Sequence, residues 1–318
     1  MATIKRILFS CDVHGSDQVW RKWLAIPDVY KANIIILSGD LTGKMIVPII
    51  RQPNGRYTCS VFGQKMVAKN ETEVPKIKEK IRFSGYYPYV TTPEEVAELQ
   101  EDPKKVDALF NQEMIKGIKR WIKLLAEKVS RDVQAIVMPG NDDIFEIDPL
   151  IEQSETVIYP LGKAINLCFD YEMISMDYVN PTPWDSPREC SEEELMEKLE
   201  RQLELTTVDP NQLICNFHPP PYLTALDAAP KLDKDMKPVI KMGALEMENV
   251  GSKAVLNFLK RYNPFLGLHG HIHESSGYEK IGDTFAVNPG SEYGEGILKG
   301  FIFEISKDKL EKWWFISG

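Results

Sequence analysis

Long apolar runs are missing from this chain. No stretch of its 318 residues approaches the ~18 needed to cross a bilayer, so no membrane span is expected. The start, MATIKRILFSCD, lacks the longer apolar region and small-residue cleavage site of a secretory signal, and a cytoplasmic protein is expected. Dense basic runs are also missing, and the formal net charge is −9. Duplex nucleic acid is held largely by Lys and Arg on phosphates, so a long polyanion is a poor partner. A small phosphorylated ligand stays open, because one metal site offsets local charge. The five cysteines (Cys11, Cys59, Cys168, Cys190, Cys215) are odd in number and never in CxxC spacing, which argues for thiols rather than a disulfide framework. There is no internal repeat and no low-complexity tract. The hydrophobic fraction of 43% and charged fraction of 27% are those of a globular chain with ample core.

Histidine is scarce as well, and that scarcity is informative. The chain has five, yet His269, His271 and His273 fall together in LHGHIHES. The others, His14 and His218, each follow a short apolar run. The runs share a feature. IKRILFS leads to Asp12 and His14, and ANIIILSG to Asp40. VQAIVMPG leads to Asn141, Asp142 and Asp143, NQLICNF to His218, and PFLGLHG to His271 and His273. Continuous Val/Ile/Leu runs of this length read as strands buried on both faces. Ligands of open α/β sheets collect beyond the strands' carboxyl ends, so these polar groups belong on one rim.

Helices are expected between the strands. Thr92-Pro93-Glu94-Glu95 has the capping-box pattern with proline at the first helical position. Asp102-Pro103 opens a second helix, with Val106, Leu109, Phe110, Met114, Ile118, Trp121, Ile122 and Leu125 at helical spacing. Ser191 to Glu194 repeats the capping box, and Ser252 opens KAVLNFLKRY, which Pro264 closes. The carboxyl terminus reads as strands, with Trp313 and Trp314 in core or edge packing. Between Gly43 and about Leu99 the rhythm breaks. PNGR reads as the turn of a hairpin between MIVPII and YTCSVFG, and the Tyr-rich IRFSGYYPYV follows. We expect one domain over 1–318 with an insertion around 44–99, serving as lid, oligomer contact or decoration.

Asp12, His14, Asp40, Asn141, His218, His271 and His273 form a chemical set. Carboxylate oxygen and neutral imidazole nitrogen bind divalent transition metals. In extended backbone, Asp12 and His14 point to one side, as do His271 and His273. Taken singly, each has an ordinary reading: Asp12 or Asp40 capping a turn, His14 a satisfied histidine, His218 closing a strand. Together they exceed what one tetrahedral ion can use. Two ions sharing a carboxylate would use them all, and such pairs clamp the oxygens of a phosphoryl transfer.

The motifs DVHG, GDLTG, GNDD, the lone histidine of NFHPPP, and GHIHE occur in that order. This series resembles the calcineurin-like metallophosphoesterase superfamily. HPPP…TALD, GHIHES and VNPGSEYGEG resemble its compact Icc-type branch of predicted phosphoesterases. The resemblance spans nearly the whole chain apart from the stretch after Gly43. It implies an α/β fold, a β-sandwich flanked by helices in four αββα layers, where periodicity alone suggests one doubly wound sheet. It also implies a dinuclear site at the strand carboxyl ends. One ion would be held by Asp12, His14, Asp40 and His273, the other by Asp40, Asn141, His218 and His271, with Asp40 bridging. The ions would be divalent (Mn, Fe, Zn, Co or Ni, manganese favoured) and would acidify a bridging water to a hydroxide nucleophile. Asp40, Asn141 and Asp142 are the expected catalytic residues.

The implied activity is hydrolysis of a small phosphate ester, a diester favoured over a monoester. Many members carry histidine after the GN asparagine as proton donor; here Asp142 stands there. A carboxylate near two cations favours its ionised form and donates poorly. Asp142 would stay protonated if buried, or the enzyme would rely on good leaving groups or metal-bound water. On a third reading the chain would be a metal-bound binding or regulatory module with weak turnover, like the family's scaffold member in retromer. A nuclease reading would require cleavage of DNA ends that falls steeply with salt. His269 is read as a supporting residue, Cys11 as inward-packing, and Arg188 as a side chain within reach of a substrate phosphate. Substrate identity and oligomeric state stay open.

Overall fold

A computed structural model describes residues 4–318. Each of the five apolar runs is a strand: Lys5–Cys11, Ile34–Ser38, Gln134–Met138, Leu213–Phe217 and Leu266–Leu268. They do not share one sheet. The first three lie in a five-stranded sheet ordered Leu310–Ser317, Lys299–Ile305, Lys5–Cys11, Ile34–Ser38, Gln134–Met138. The other two lie in a six-stranded sheet ordered Gly277–Ile281, Thr284–Asn288, Leu266–Leu268, Leu213–Phe217, Tyr171–Met176, Ile165–Cys168. The single doubly wound sheet suggested by periodicity is thus corrected to two sheets. The reason is physical: a strand buried on both faces reads the same whichever sheet it joins.

The pleat sorts the side chains. Ile7 and Phe9, Ile34 and Ile36 point into a core shared with Met173, Ile214, Leu266 and Val287 of the other sheet. Their neighbours Leu8, Ile35 and Leu37 point away, into a core with Trp20, Trp23, Ile118 and Trp121. Those tryptophans belong to helices Asp17–Tyr30 and Pro103–Lys128, and the Trp20 and Trp121 rings stack with centroids 4.6 Å apart. The six-stranded sheet turns Ile174, Cys215 and Phe217 toward helices Glu192–Leu203 and Lys253–Tyr262. The result is a mixed α/β protein in which helices pack against both of these sheets.

The caps follow the sequence. Ser191 and Glu194 form the reciprocal capping box, and Asp102 and Ser252 each accept from their helix's first turn. At Thr92 only half the box forms: Thr92 accepts from Glu95 N, while the Glu95 carboxylate bonds Tyr89 and Thr91 instead. Residues 46–91 build a separate four-stranded sheet with its own core of Val47, Ile49, Tyr57, Ile77 and Ile81. Its expected hairpin is present, Ile50 pairing with Thr58 and Arg51 with Tyr57. This sheet is joined to the site loops: Ser16 Oγ donates to Phe83 O at 2.7 Å, and Gly43 N to Tyr87 Oη at 2.9 Å. Trp313 packs on Phe285 and Phe315 at the sheet edge, as the sequence suggested.

Arg188 does not face a substrate. Its side chain is 1% exposed, with ion pairs to Asp177 at 2.5 Å and Asp148 at 2.6 Å. Nε donates to Asp143 O at 3.0 Å, and the guanidinium lies 4.5 Å from the Phe145 ring centre. The sequence gives no hint of these partners, because Asp177 and Asp148 are distant in the chain. Arg188 therefore locks the segment after Asn141 onto the six-stranded sheet. Replacing it with leucine strands the buried Asp177 carboxylate. Arg188→Leu is expected to cost about 3–5 kcal/mol of unfolding free energy, as for other broken buried pairs, read from urea denaturation.

Candidate metal centre

All seven candidate ligands lie on the loops leaving the carboxyl ends of those strands. Asp12, His14, Asp40, Asn141 and His218 are each no more than 3% exposed. Four of the seven sit in the left-handed region: Asp12 at φ 52°, His14 at 38°, Asp40 at 35° and His271 at 66°. Non-glycine residues pay about 1–3 kcal/mol each for such backbone, and it persists where surroundings over-determine it. The loops also need close backbone approach. Gly39 has φ 84°, and a Cβ there would run into the His218 ring. A Cβ on Gly140 would strike the Asp40 backbone nitrogen and carboxylate. The glycines of GD and PGN are thus steric requirements of the site.

Two sets of side chains converge. Ligand atoms of Asp12, His14, Asp40 and His273 lie within 4.8 Å of one another, and so do those of Asp40, His218 and His271. Asp40 belongs to both. Within the first set, His14 Nε2 is 3.1 Å from His273 Nε2 and 3.5 Å from Asp40 Oδ2. Beside the second, Asn141 Oδ1 is 3.0 Å from His218 Nε2. The Asn141 amide is oriented by donation to Ser186 Oγ at 2.9 Å, which turns its oxygen inward. Asp12 Oδ1, His14 Nδ1 and His218 Nδ1 are buried without hydrogen-bond partners. Carboxylate, imidazole and amide oxygen with such orphaned atoms fit divalent transition cations.

The electrostatics run the same way. Burial pushes the Asp40 carboxyl up, but His218, His14 and His271 together hold it well below the usual carboxylate range. Burial also raises Asp12, which stays raised against the pull of His218 and His273. Burial disfavours the charged form of His218, yet Asp40, Asp12 and Asp142 push it up to about 9. His14 is driven well below its ordinary value by burial, and His271 falls to about 3 through burial and the neighbouring His218. One imidazolium, His218, thus sits between two carboxylates, with His14 and His271 neutral.

Supporting residues surround this set. His269 is fully buried, and burial lowers it to about 4, so its neutral ring donates through Nδ1 to Phe217 O at 2.9 Å and Pro219 O at 3.0 Å. It fixes the backbone on either side of His218, the supporting role expected of it. Asp143 gathers Leu41 N, Thr42 N and Gly140 N, each at 2.8 Å, and so ties the Asp40 loop to the Asn141 loop. Sequence reasoning placed Asp143 on the rim without a role; its part appears only when both loops are seen. The Tyr293 ring packs 4.5 Å from His14 and 5.7 Å from His273, and sequence reasoning missed it although VNPGSEYGEG had drawn notice. Asp142 is no part of either ligand set. Burial and Asp40 raise its carboxyl above its ordinary value, and its ion-pair partner is Lys44 at 2.8 Å. Cys11 is buried, as expected, with Sγ toward Gly290 O.

Fold and site together define a mixed α/β protein with a candidate metal centre. No protein-family model matches the chain. It is 30% identical over 176 residues to the uncharacterized protein MJ1162 of Methanocaldococcus jannaschii, covering 55% of this chain and 71% of that protein. The chain belongs to the same family as that archaeal protein. Among solved structures, TT1561 of Thermus thermophilus is similar over 99% of both chains, with TM-score 0.52 and 15% identity, a likeness of fold. A novel phosphatase from Mycoplasma pneumoniae has TM-score 0.47 and 11% identity over 100% of this chain and 94% of that one.

The His218 imidazolium occupies charge space that a cation would take. Metal ligands must be deprotonated, so loading releases protons. At pH 7 manganese binding is expected to release about one proton per chain, a release that fades as pH rises past about 9. Titration calorimetry in buffers of different ionisation enthalpy measures this; a heat independent of buffer would contradict the assignment.

Proposed function

We propose that this protein is a dinuclear metal-dependent phosphoesterase acting on a small phosphate ester. The observation that carries the reading is the sharing of Asp40 between two convergent ligand sets on one rim. Asp12, His14, Asp40 and His273 would hold one divalent ion; Asp40, Asn141, His218 and His271 would hold the other. When bound, such ions supply Lewis acidity toward phosphoryl oxygens and toward water. The cores described above support reading the fold as the four-layer αββα arrangement, with residues around 44–99 an insertion in a single domain. We favour manganese as the metal and a diester as the substrate.

The chain's own residues do the positioning. Asp40, buried and held ionised, keeps charge at the centre of the site. Asn141 offers a neutral oxygen fixed by Ser186, adding a contact without adding charge. Asp142 N donates to Asp40 Oδ1 at 3.0 Å, the oxygen that lies 3.6 Å from His218 Nε2, and so fixes the shared carboxylate. One observation favours a second reading, a metal-bound module with weak turnover: Asp142 is paired with Lys44 rather than free to donate a proton.

Hydrolysis of bis(p-nitrophenyl) phosphate with added manganese separates the two. Measurable turnover is expected, abolished by EDTA. Asp40→Asn should lower kcat/KM at least about a hundredfold, since even outer partners of metal ligands cost 10–100-fold. Absence of turnover with manganese, iron, zinc, cobalt and nickel would favour the module.

A further inference from the structure

Lys44 lies four residues past Asp40, on the loop that joins the metal centre to the 46–91 sheet. Its ammonium is 2.8 Å from Asp142 Oδ2 and its side chain is 48% exposed. Asp142 lies on a different loop, held there by its backbone bond to Asp40. Two loops therefore each send one arm over the rim, and the arms meet. Arg188 is not available to an anion here, because its guanidinium is paired with Asp177 and Asp148.

An ammonium has three N–H donors and no acceptor. Asp142 engages one, leaving two for an anion arriving above the ligands. The pair also cancels the Asp142 charge, which alone would repel a phosphate. We propose that Lys44 is the phosphate-binding residue of this site, donating to a non-bridging oxygen of the substrate, and that Asp142 is a positioning residue that holds it there. This rests on the phosphoesterase reading and adds to it the group that recognises the anion.

The test uses the full chain loaded with manganese, and inorganic phosphate as the probe in titration calorimetry. Lys44→Met should weaken phosphate about tenfold to a hundredfold, the range for a charge-assisted hydrogen bond, while manganese affinity is unchanged. Lys44→Arg should restore most of the loss. Asp142→Asn should weaken phosphate only while Lys44 is present, so the double variant binds no worse than Lys44→Met alone. Lys44 is half exposed, so its variants should fold. Wild-type phosphate affinity in manganese-loaded Lys44→Met overturns the inference, as does loaded wild type that binds no phosphate. Failure to bind manganese at all would instead sink the phosphoesterase reading and this inference with it.

Discussion

Two aspartates hidden from solvent at one point impose the constraint that organises this molecule. Asp12 and Asp40 are 0% and 2% exposed, and burying an uncompensated carboxylate is costly enough that the group ordinarily neutralises. Here compensation comes from imidazoles. His218 carries a proton between the carboxylates, and His14, His271 and His273 close the ring around them. Bringing both aspartates to one point goes with left-handed backbone at four residues and glycines where loops touch. Each deviation makes sense only through the carboxylates it serves.

The two sheets are joined beneath this ring by polar contacts. Ser38 Oγ donates to Asn216 Oδ1 at 2.7 Å, and Asn216 Nδ2 donates to Ser175 Oγ at 3.1 Å. All three are buried. A fully paired buried network of this kind fixes relative position in a way that interdigitated Ile and Val side chains do not. It lies at the strand ends that launch the Asp40 and His218 loops, where a slip of either sheet would separate the two ligand sets. Specificity of position, rather than added stability, is what this network contributes.

The strands carrying the ligands were legible because each was a short, largely apolar run, and the ligands were legible because each followed such a run within a few residues. The partition into two sheets was not, since pairing partners are set by tertiary contacts that a single strand's pattern does not encode. Helix starts at Asp102, Ser191 and Ser252 followed from local capping chemistry. The apolar face of the helix Pro103–Lys128 was read less well: Val106, counted with it, is 38% exposed, and the helix's buried residues begin at Met114. Arg188 was misread for a different reason. A lone arginine in a polar loop looks available, and its partners, buried Asp177 and half-buried Asp148, lie on other segments. Asp143, Tyr293 and Lys44 share that difficulty, since each acts across a gap of many residues.

The strand Lys5–Cys11 lies between Ile34–Ser38 on one side and Lys299–Ile305 on the other, with Lys5 opposite Ile305. Asp12 follows directly, and its carbonyl accepts from Ser291 Oγ at 2.6 Å. During synthesis this strand waits for the residues between Lys5 and Ile305 before its second neighbour exists. Such distant pairing is slow and leaves an apolar edge open meanwhile. The ring of imidazoles likewise stays incomplete until His271 and His273 have left the ribosome. Convergence of the two ligand sets must therefore wait for those residues to emerge, and the half-sheeted chain keeps an apolar edge open until then.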